Sequence, residues 1–291
     1  MADILVTGGA GFIGSNLVEY LLGRGDRVIC LDNFDDYYDP RIKRNNIASY
    51  LEDDNFTLVE GDVRDTDLLR EILDRGVAKV VHLAARPGVR GSSDSLLYED
   101  INLKGTLNLL EVCKDYDIEN FIFGSSSAVY GTNEEVPFKE EDRIHKTISP
   151  YAASKGACEL FCYMFQHLYN IPITCLRFFT VYGPRQRPDM AIHRFTRLID
   201  EGKEIAILGD GTSKRDYTYI MDIIEGVASA LDKNFAFGIF NLGDSNTVEL
   251  RYLVSIIERS LGKKAKVRYY PLHPRDVPIT YADISKSKRL L

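Results

Sequence analysis

Nothing in this sequence approaches the length of a membrane-spanning apolar run. Nor does it carry surplus basic charge: 36 Lys and Arg stand against 43 Asp and Glu, a net charge of -7. That balance argues against a broad nucleic-acid surface and leaves room for local basic pockets of the kind a phosphorylated small molecule needs. A disulfide framework is excluded as well, because the five cysteines are odd in number and scattered. Cys30, Cys113, Cys158, Cys162 and Cys175 lie mostly inside apolar runs and read as buried thiols of a reducing cytoplasm. Cys158 and Cys162 stand one helical turn apart without a second pair, and the five histidines form no cluster, so no metal is expected. No signal peptide is expected either, since Met1-Ala2-Asp3 runs directly into a strand-like segment. What is present is an ordinary soluble composition, 45% hydrophobic and 27% charged, in 291 residues. That is enough for one large domain or a domain with a subsidiary lobe.

The first positive signal is at the N-terminus. A short apolar run, residues 3–7, ends in Gly8-Gly9-Ala10-Gly11-Phe12-Ile13-Gly14, followed by an amphipathic helix to about Leu22. A second apolar run, residues 27–31, ends at Asp32. Strand, glycine turn, helix, strand and acid make a dinucleotide-binding βαβ unit. The glycines leave room for a pyrophosphate, and the helix N-terminus offers it free N–H groups and a positive dipole end. Asp32, eighteen residues past Gly14, is placed to accept from ribose hydroxyls. A carboxylate there repels a 2′-phosphate, which favours NAD over NADP.

The alternation continues, with strands expected at 55–60, 79–83, 120–123 and 173–178 and helices at 65–74, 96–116 and 151–169. Repeated βα units imply an α/β fold: a doubly wound parallel (Rossmann) sheet covered on both faces, with a smaller α/β substrate lobe. Residues 1–178 form the expected dinucleotide-binding domain, to which 239–243 return as a strand, and 179–291 form the lobe. The segment 37–46 is expected near the adenosine edge, reading mainly as solvated surface. The glycine-rich, basic loop 86–93 reads as a mobile lid over the substrate, with Arg90 as a phosphate or carboxylate contact.

Tyr151 and Lys155, four apart just after Pro150, share one face of a helix's first turns. A phenol is a poor base in water. A fixed ammonium beside it favours the phenolate, and the pyridinium of a bound dinucleotide would add a second positive neighbour. Such a base takes a hydroxyl proton while the attached carbon loses hydride. The spacing alone is common on helices; the glycine turn, Asp32 and the serines of Gly124-Ser125-Ser126-Ser127 give it a context.

With its glycines spaced three and three, and serines preceding Val129-Tyr130-Gly131, the sequence resembles the extended short-chain dehydrogenase/reductase family over nearly its whole length. The resemblance implies a triad of Ser126, Tyr151 and Lys155. It also implies cofactor contacts from Gly8, Gly11, Phe12, Ile13, Gly14, Asp32 and Asn33, with Asp62 and Val63 at the adenine and Leu83, Ala84 and Ala85 at the pyrophosphate. Asn102 matches a family asparagine of mostly structural role, and Arg215 an arginine aimed at a UDP pyrophosphate. Residues 183–191, Gly-Pro-Arg-Gln-Arg-Pro-Asp-Met-Ala, most resemble the UDP-glucuronate 4-epimerases. That implies a substrate carboxylate held by Arg187, Thr180 and Ser127, with Arg185 also on the substrate. Ala128 stands where decarboxylating relatives carry glutamate, so the expected reaction is epimerisation of UDP-glucuronate to UDP-galacturonate through a transient 4-keto sugar. The alternatives are a 4-epimerase of UDP-glucose and UDP-galactose or of an N-acetylhexosamine, a reductase, and an NAD-binding regulator. The resemblance further implies a homodimer, the helices at 96–116 and 151–169 pairing into a four-helix bundle. Two departures stand out: Arg275 replaces a glycine before Asp276, and the chain stops at Leu291 in what reads as the start of a helix, as in a truncated or short member.

Overall fold

Apolar residues in the first strand alternate between two cores, Ile4 and Val6 facing one layer of helices and Leu5 the other. The same division recurs in the strand that bears the serines, where Phe121 and Phe123 face one side and Ile122 the other. Only a sheet covered on both faces accommodates that pattern. The structure, a computed structural model, describes residues 3–91 and 94–291.

In chain order the elements are β1 (Asp3–Thr7), α1 (Phe12–Gly23), β2 (Arg27–Asp32), α2 (Pro40–Ile47), β3 (Phe56–Glu60), α3 (Thr66–Leu73) and β4 (Val77–His82). They continue with α4 (Ser95–Tyr98), α5 (Gly105–Cys113), β5 (Asn120–Ser126), α6 (Pro150–Tyr169), β6 (Ile173–Phe178), β7 (Thr180–Tyr182), α7 (Ala191–Asp200), β8 (Glu204–Leu208) and β9 (Lys214–Tyr219). The last are α8 (Ile220–Asp232), β10 (Phe237–Leu242), β11 (Thr247–Glu249), α9 (Leu250–Leu261), β12 (Lys266–Tyr270) and α10 (Ser285–Leu290). The main sheet is seven-stranded and wholly parallel, in the order β10-β6-β5-β4-β1-β2-β3. The order reverses between β1 and β4, and the crevice at the carboxyl ends of these strands is where such sheets bind ligands.

Two details differ from the sequence reading. The helix expected over 96–116 is interrupted: Glu99–Lys104 form a π-helical turn between α4 and α5. The wide turn lets buried Asn102 face the loop after β4, exchanging bonds with the Arg86 backbone (N–H to Oδ1 2.7 Å, Nδ2 to carbonyl 3.1 Å) and with Ser154 Oγ of α6 at 3.1 Å. Also, α8 lies within the residues assigned to the substrate lobe yet packs on the main sheet beside α1. Its stripe of Ile220, Ile223, Ile224, Val227 and Leu231 fills the first core. The separate core of the lobe consists of α7, β8 and α9 through Phe195, Ile199, Ile205, Ile207, Leu253 and Val254.

Candidate active site

Helix α6 starts where local chemistry dictates. Ser149 Oγ accepts from the Ala152 N–H at 3.1 Å, and Pro150 takes the first helical position, where its missing N–H costs nothing. Tyr151, Lys155 and Glu159 then fall on one face, from which Lys155 and Glu159 bond to β5. Lys155 is buried, its Nζ donating to the Gly124 carbonyl at 2.6 Å and lying 4.7 Å from the Phe123 ring centroid. Ser126 ends β5 in an extended conformation, and its Oγ accepts from the Ala128 N–H at 3.2 Å. The Tyr98 ring stands edge-on to Tyr151 with centroids 6.3 Å apart.

Behind this face lies a buried ion pair. Arg177 of β6 forks onto Glu159, Nε to Oε1 at 3.0 Å and Nη2 to Oε2 at 2.8 Å, with both side chains 2% exposed. Arg177 Nη1 also donates to Tyr130 Oη at 2.9 Å, Tyr130 donates to Asn241 of β10, and Ser125 Oγ donates to Glu159. The network fastens α6 to β5, β6 and β10, so the tyrosine and lysine cannot shift relative to Ser126.

A cavity of about 660 Å³ runs along the carboxyl edge of the sheet. Its floor at one end is the glycine turn. Gly8 has φ +70°, and a Cβ there would stand 2.7 Å from the Ala84 nitrogen; one on Gly14 would meet the Gly8 carbonyl oxygen at 2.2 Å. Backbone therefore approaches backbone closely here; among the described residues no side chain caps α1, and its first residues, Phe12, Ile13 and Gly14, line the cavity. Asp32 is buried, accepting from the Ala10 N–H at 3.1 Å and the Phe34 N–H at 2.9 Å. Asn33 Nδ2 donates to Asp62 at 2.9 Å, and the bonds from Arg64 hold the Asp62 carboxyl down at about 2. Val63, Leu83, Ala84 and Ala85 line the same stretch. This cradle fits a dinucleotide: room at the glycines, a bare helix N-terminus for phosphate and an acid for the ribose.

Beneath it, burial and the nearby Lys155 charge push His82 down to about 3, so the imidazole is neutral. Its Nδ1 lies 2.7 Å from Thr7 Oγ1 and its Nε2 3.0 Å from Thr106 Oγ1. Because Thr106 gives its own proton to the Asn102 carbonyl, Nε2 carries the hydrogen and Nδ1 accepts.

At the other end Ser127, Thr180, Arg187 and Arg215 join Ser126 and Tyr151 around the cavity. Burial opposes the charge on Arg187, but its bonds to Asp189 outweigh that and hold the guanidinium above the usual arginine range. Among the described residues Arg215 makes a single hydrogen bond, to the Lys214 carbonyl at 2.8 Å, and burial pushes it below the usual range despite the nearby Asp276 charge. Asp276 Oδ2, also on the cavity wall, is buried and has no hydrogen-bond partner among the described residues.

Arg185, expected on the substrate, is not brought to the others. It lies away from this cavity, its positive φ of 64° turning the side chain to α1. There it donates to the Ser15 carbonyl at 2.9 Å and to Tyr50 Oη at 3.3 Å, and pairs with Glu19. Arg90 does line the cavity, but its Nε is engaged by Asp276 at 2.8 Å, and Arg275 Nη1 donates to the Arg90 carbonyl at 3.2 Å. Of the expected lid, Ser92 and Ser93 lie outside the described residues. The sequence reading missed Tyr37, which it left in solvated surface: the side chain reaches Asp189 across the cavity at 3.3 Å. Two adjacent tyrosines among acids, just past the ribose-side Asp32, were the available signal.

A model of the NAD dependent epimerase/dehydratase family matches residues 4–243. The chain belongs to that family. Within it, the chain is 43% identical over 294 residues to a UDP-glucuronate 4-epimerase of Thermodesulfobacterium geofontis, covering all of this chain and 90% of the relative. It is 44% identical to UDP-glucuronate 4-epimerase 4 of Arabidopsis thaliana, covering 99% of this chain and 70% of that one. Among solved structures, the UDP-glucuronic acid 4-epimerase of Bacillus cereus in complex with UDP-glucuronic acid and NAD superposes with a TM-score of 0.95. Identity there is 39%, covering 99% of this chain and 92% of the other. The family is NAD-dependent, in keeping with the cradle at the glycine turn.

Proposed function

We propose that the protein is an NAD-dependent UDP-glucuronate 4-epimerase, interconverting UDP-glucuronate and UDP-galacturonate. The observation that carries the reading is Arg187, a guanidinium at the same cavity end as Ser126, Ser127, Tyr151 and Thr180, with no acidic residue in Ser126-Ser127-Ala128. The relatives named for the same reaction support it.

The glycine cradle would hold NAD, with Lys155 at its nicotinamide ribose, and the cofactor would supply a hydride acceptor that is restored in each cycle, so that no reductant would be consumed. Tyr151 takes the proton from the sugar O4 and later gives it back, with the Lys155 ammonium stabilising its phenolate. Ser126 Oγ hydrogen-bonds the same oxygen. Arg215 pairs with the UDP pyrophosphate, and Asp276 Oδ2 accepts from a ribose hydroxyl, leaving the nucleotide as a fixed pivot. The hexose ring then turns about its phosphate link and presents the other face of C4. No side chain of Ser126-Ser127-Ala128 is an acid that could remove the C5 proton or take the place of the glutamate of decarboxylating relatives, which favours hydride return. Arg187, Thr180 and Ser127 hold the C6 carboxylate.

Proton NMR on purified protein given UDP-glucuronate, UDP-glucose and UDP-N-acetylglucosamine in parallel, without added NAD, tests the proposal. UDP-galacturonate should form with kcat/KM at least about tenfold above that for the neutral sugars, the advantage of a paired carboxylate. Equal or faster turnover of UDP-glucose rejects the uronate assignment, and a need for stoichiometric cofactor identifies a reductase.

We also infer a homodimer, built through α6. Leu160, Met164 and Leu168 recur one turn apart on that helix, with Leu160 69% and Leu168 57% exposed, and Leu96 stands exposed at the start of α4. A second copy of the same stripe is the simplest cover, because two-fold pairing buries both at once. Leu160→Asp should shift the sedimentation coefficient from dimer to monomer; a wild-type monomer at micromolar concentration contradicts the inference. The five free, buried thiols support placement in the reducing cytoplasm.

A further inference from the structure

Arg187 is gripped along one edge only. Its Nε donates to Asp189 Oδ1 and its Nη2 to Oδ2, each at 3.0 Å, using two of the five N–H bonds of the guanidinium. Among the described residues Nη1 has no hydrogen-bond acceptor. The grip is itself braced. Tyr37 Oη donates to Asp189 Oδ2 at 3.3 Å, and the Arg187 guanidinium lies 5.7 Å from the centroid of the Tyr37 ring. On the same ring rests Arg86, 5.3 Å from the centroid and paired with Asp35 at 3.2 Å. The Tyr37 N–H in turn donates to Asp35 Oδ1 at 2.9 Å, which fixes the loop that carries it.

We propose that Asp189 and Tyr37 are positioning residues that fix the plane of the Arg187 guanidinium and present its unoccupied edge to the substrate carboxylate. The proposal rests on the uronate reading above. A flexible arginine would bind a carboxylate in many orientations; one held side-on by Asp189 binds in one. Orientation matters because the oxidised substrate is a β-keto acid. When the C5–C6 bond aligns with the C4 carbonyl π system, the bond breaks and its electron pair enters the carbonyl as an enolate. Carbon dioxide leaves, and C5 takes a proton from solvent. A carboxylate pinned with that bond near the carbonyl plane avoids the alignment. Asp189 and Tyr37 thereby act through Arg187 on which product forms.

The test is the product ratio, which a merely structural role would not move. Wild type, Asp189→Asn, Tyr37→Phe and Arg187→Ala are given UDP-glucuronate, and UDP-galacturonate is measured against the decarboxylated UDP-pentose products. Asp189→Asn should raise the pentose fraction about tenfold and raise KM more than it lowers kcat, as expected when a charge-assisted grip is lost. Tyr37→Phe should shift both in the same direction by less, and Arg187→Ala by more. In parallel, calorimetric titration on a Tyr151→Phe background should show UDP-glucuronate binding about tenfold weaker with Asp189→Asn and UDP binding unchanged. An unchanged product ratio and an unchanged affinity for UDP-glucuronate in Asp189→Asn overturn the proposal while leaving the epimerase reading intact. A wild type that leaves UDP-glucuronate unconverted overturns the epimerase reading, and this inference with it.

Discussion

Tyr151→Phe is expected to keep the fold and the bound NAD and to lose about a thousandfold in epimerisation, the scale of an acid–base group removed from its substrate. The phenylalanine retains the ring that stands edge-on to Tyr98 and deletes only the hydroxyl. Lys155 stays buried against Gly124 through its own bond, so the cradle is undisturbed. NMR product analysis gives the rate, and release of NAD on denaturation gives the cofactor content. Activity within tenfold of wild type would remove Tyr151 from the proton-transfer role. Loss of NAD together with activity would make it a cofactor contact instead.

Arg177→Met should be the most damaging single change to stability, at about 3–5 kcal/mol, because it strands the Glu159 carboxylate with no compensating charge. Only 2% of either side chain is exposed, so water cannot take the place of the guanidinium. Tyr130 Oη loses a donor at the same time. Replacing both partners, as in Arg177→Met with Glu159→Leu, should recover much of the loss, since two apolar side chains leave no buried charge behind. Denaturant unfolding of the two single variants and the double variant forms the cycle that measures this. Losses that simply add would mean that the pair contributes through packing alone. Because Glu159 follows Lys155 by one turn on the same face of α6, the single variants should also reduce kcat.

The parts of the site legible in the sequence are those built from neighbours along the chain. The glycine turn with Asp32, the apolar strand at 120–123 and the Tyr151–Lys155 spacing each report local geometry that few contexts can reverse. The helix expected over 151–169 is α6, Pro150–Tyr169, while the strand expected over 120–123 runs three residues further, to Ser126. The π-helical turn at Glu99–Lys104 was not legible. Its helical apolar spacing gives no sign that Asn102 will widen the turn to reach the Arg86 backbone.

The arginines mark the same boundary. Arg185 and Arg187 stand two residues apart in a polar segment, and by residue type either could hold a phosphate or a carboxylate. The backbone turns one toward Ser15 and Glu19 and the other into the cavity beside Tyr151, a separation set by a single positive φ and by the packing of α1. Tyr37 comes to Asp189 from 152 residues away, and Arg177 to Tyr130 across 47. The sequence by itself determined the doubly wound sheet, the dinucleotide cradle and the catalytic face of α6, because hydrophobic period, glycine room and helical spacing act over a few residues. Which arginine reaches the cavity, what holds it, and what locks α6 behind the serines were decided only by the tertiary structure, since a guanidinium finds its partner through space rather than along the chain.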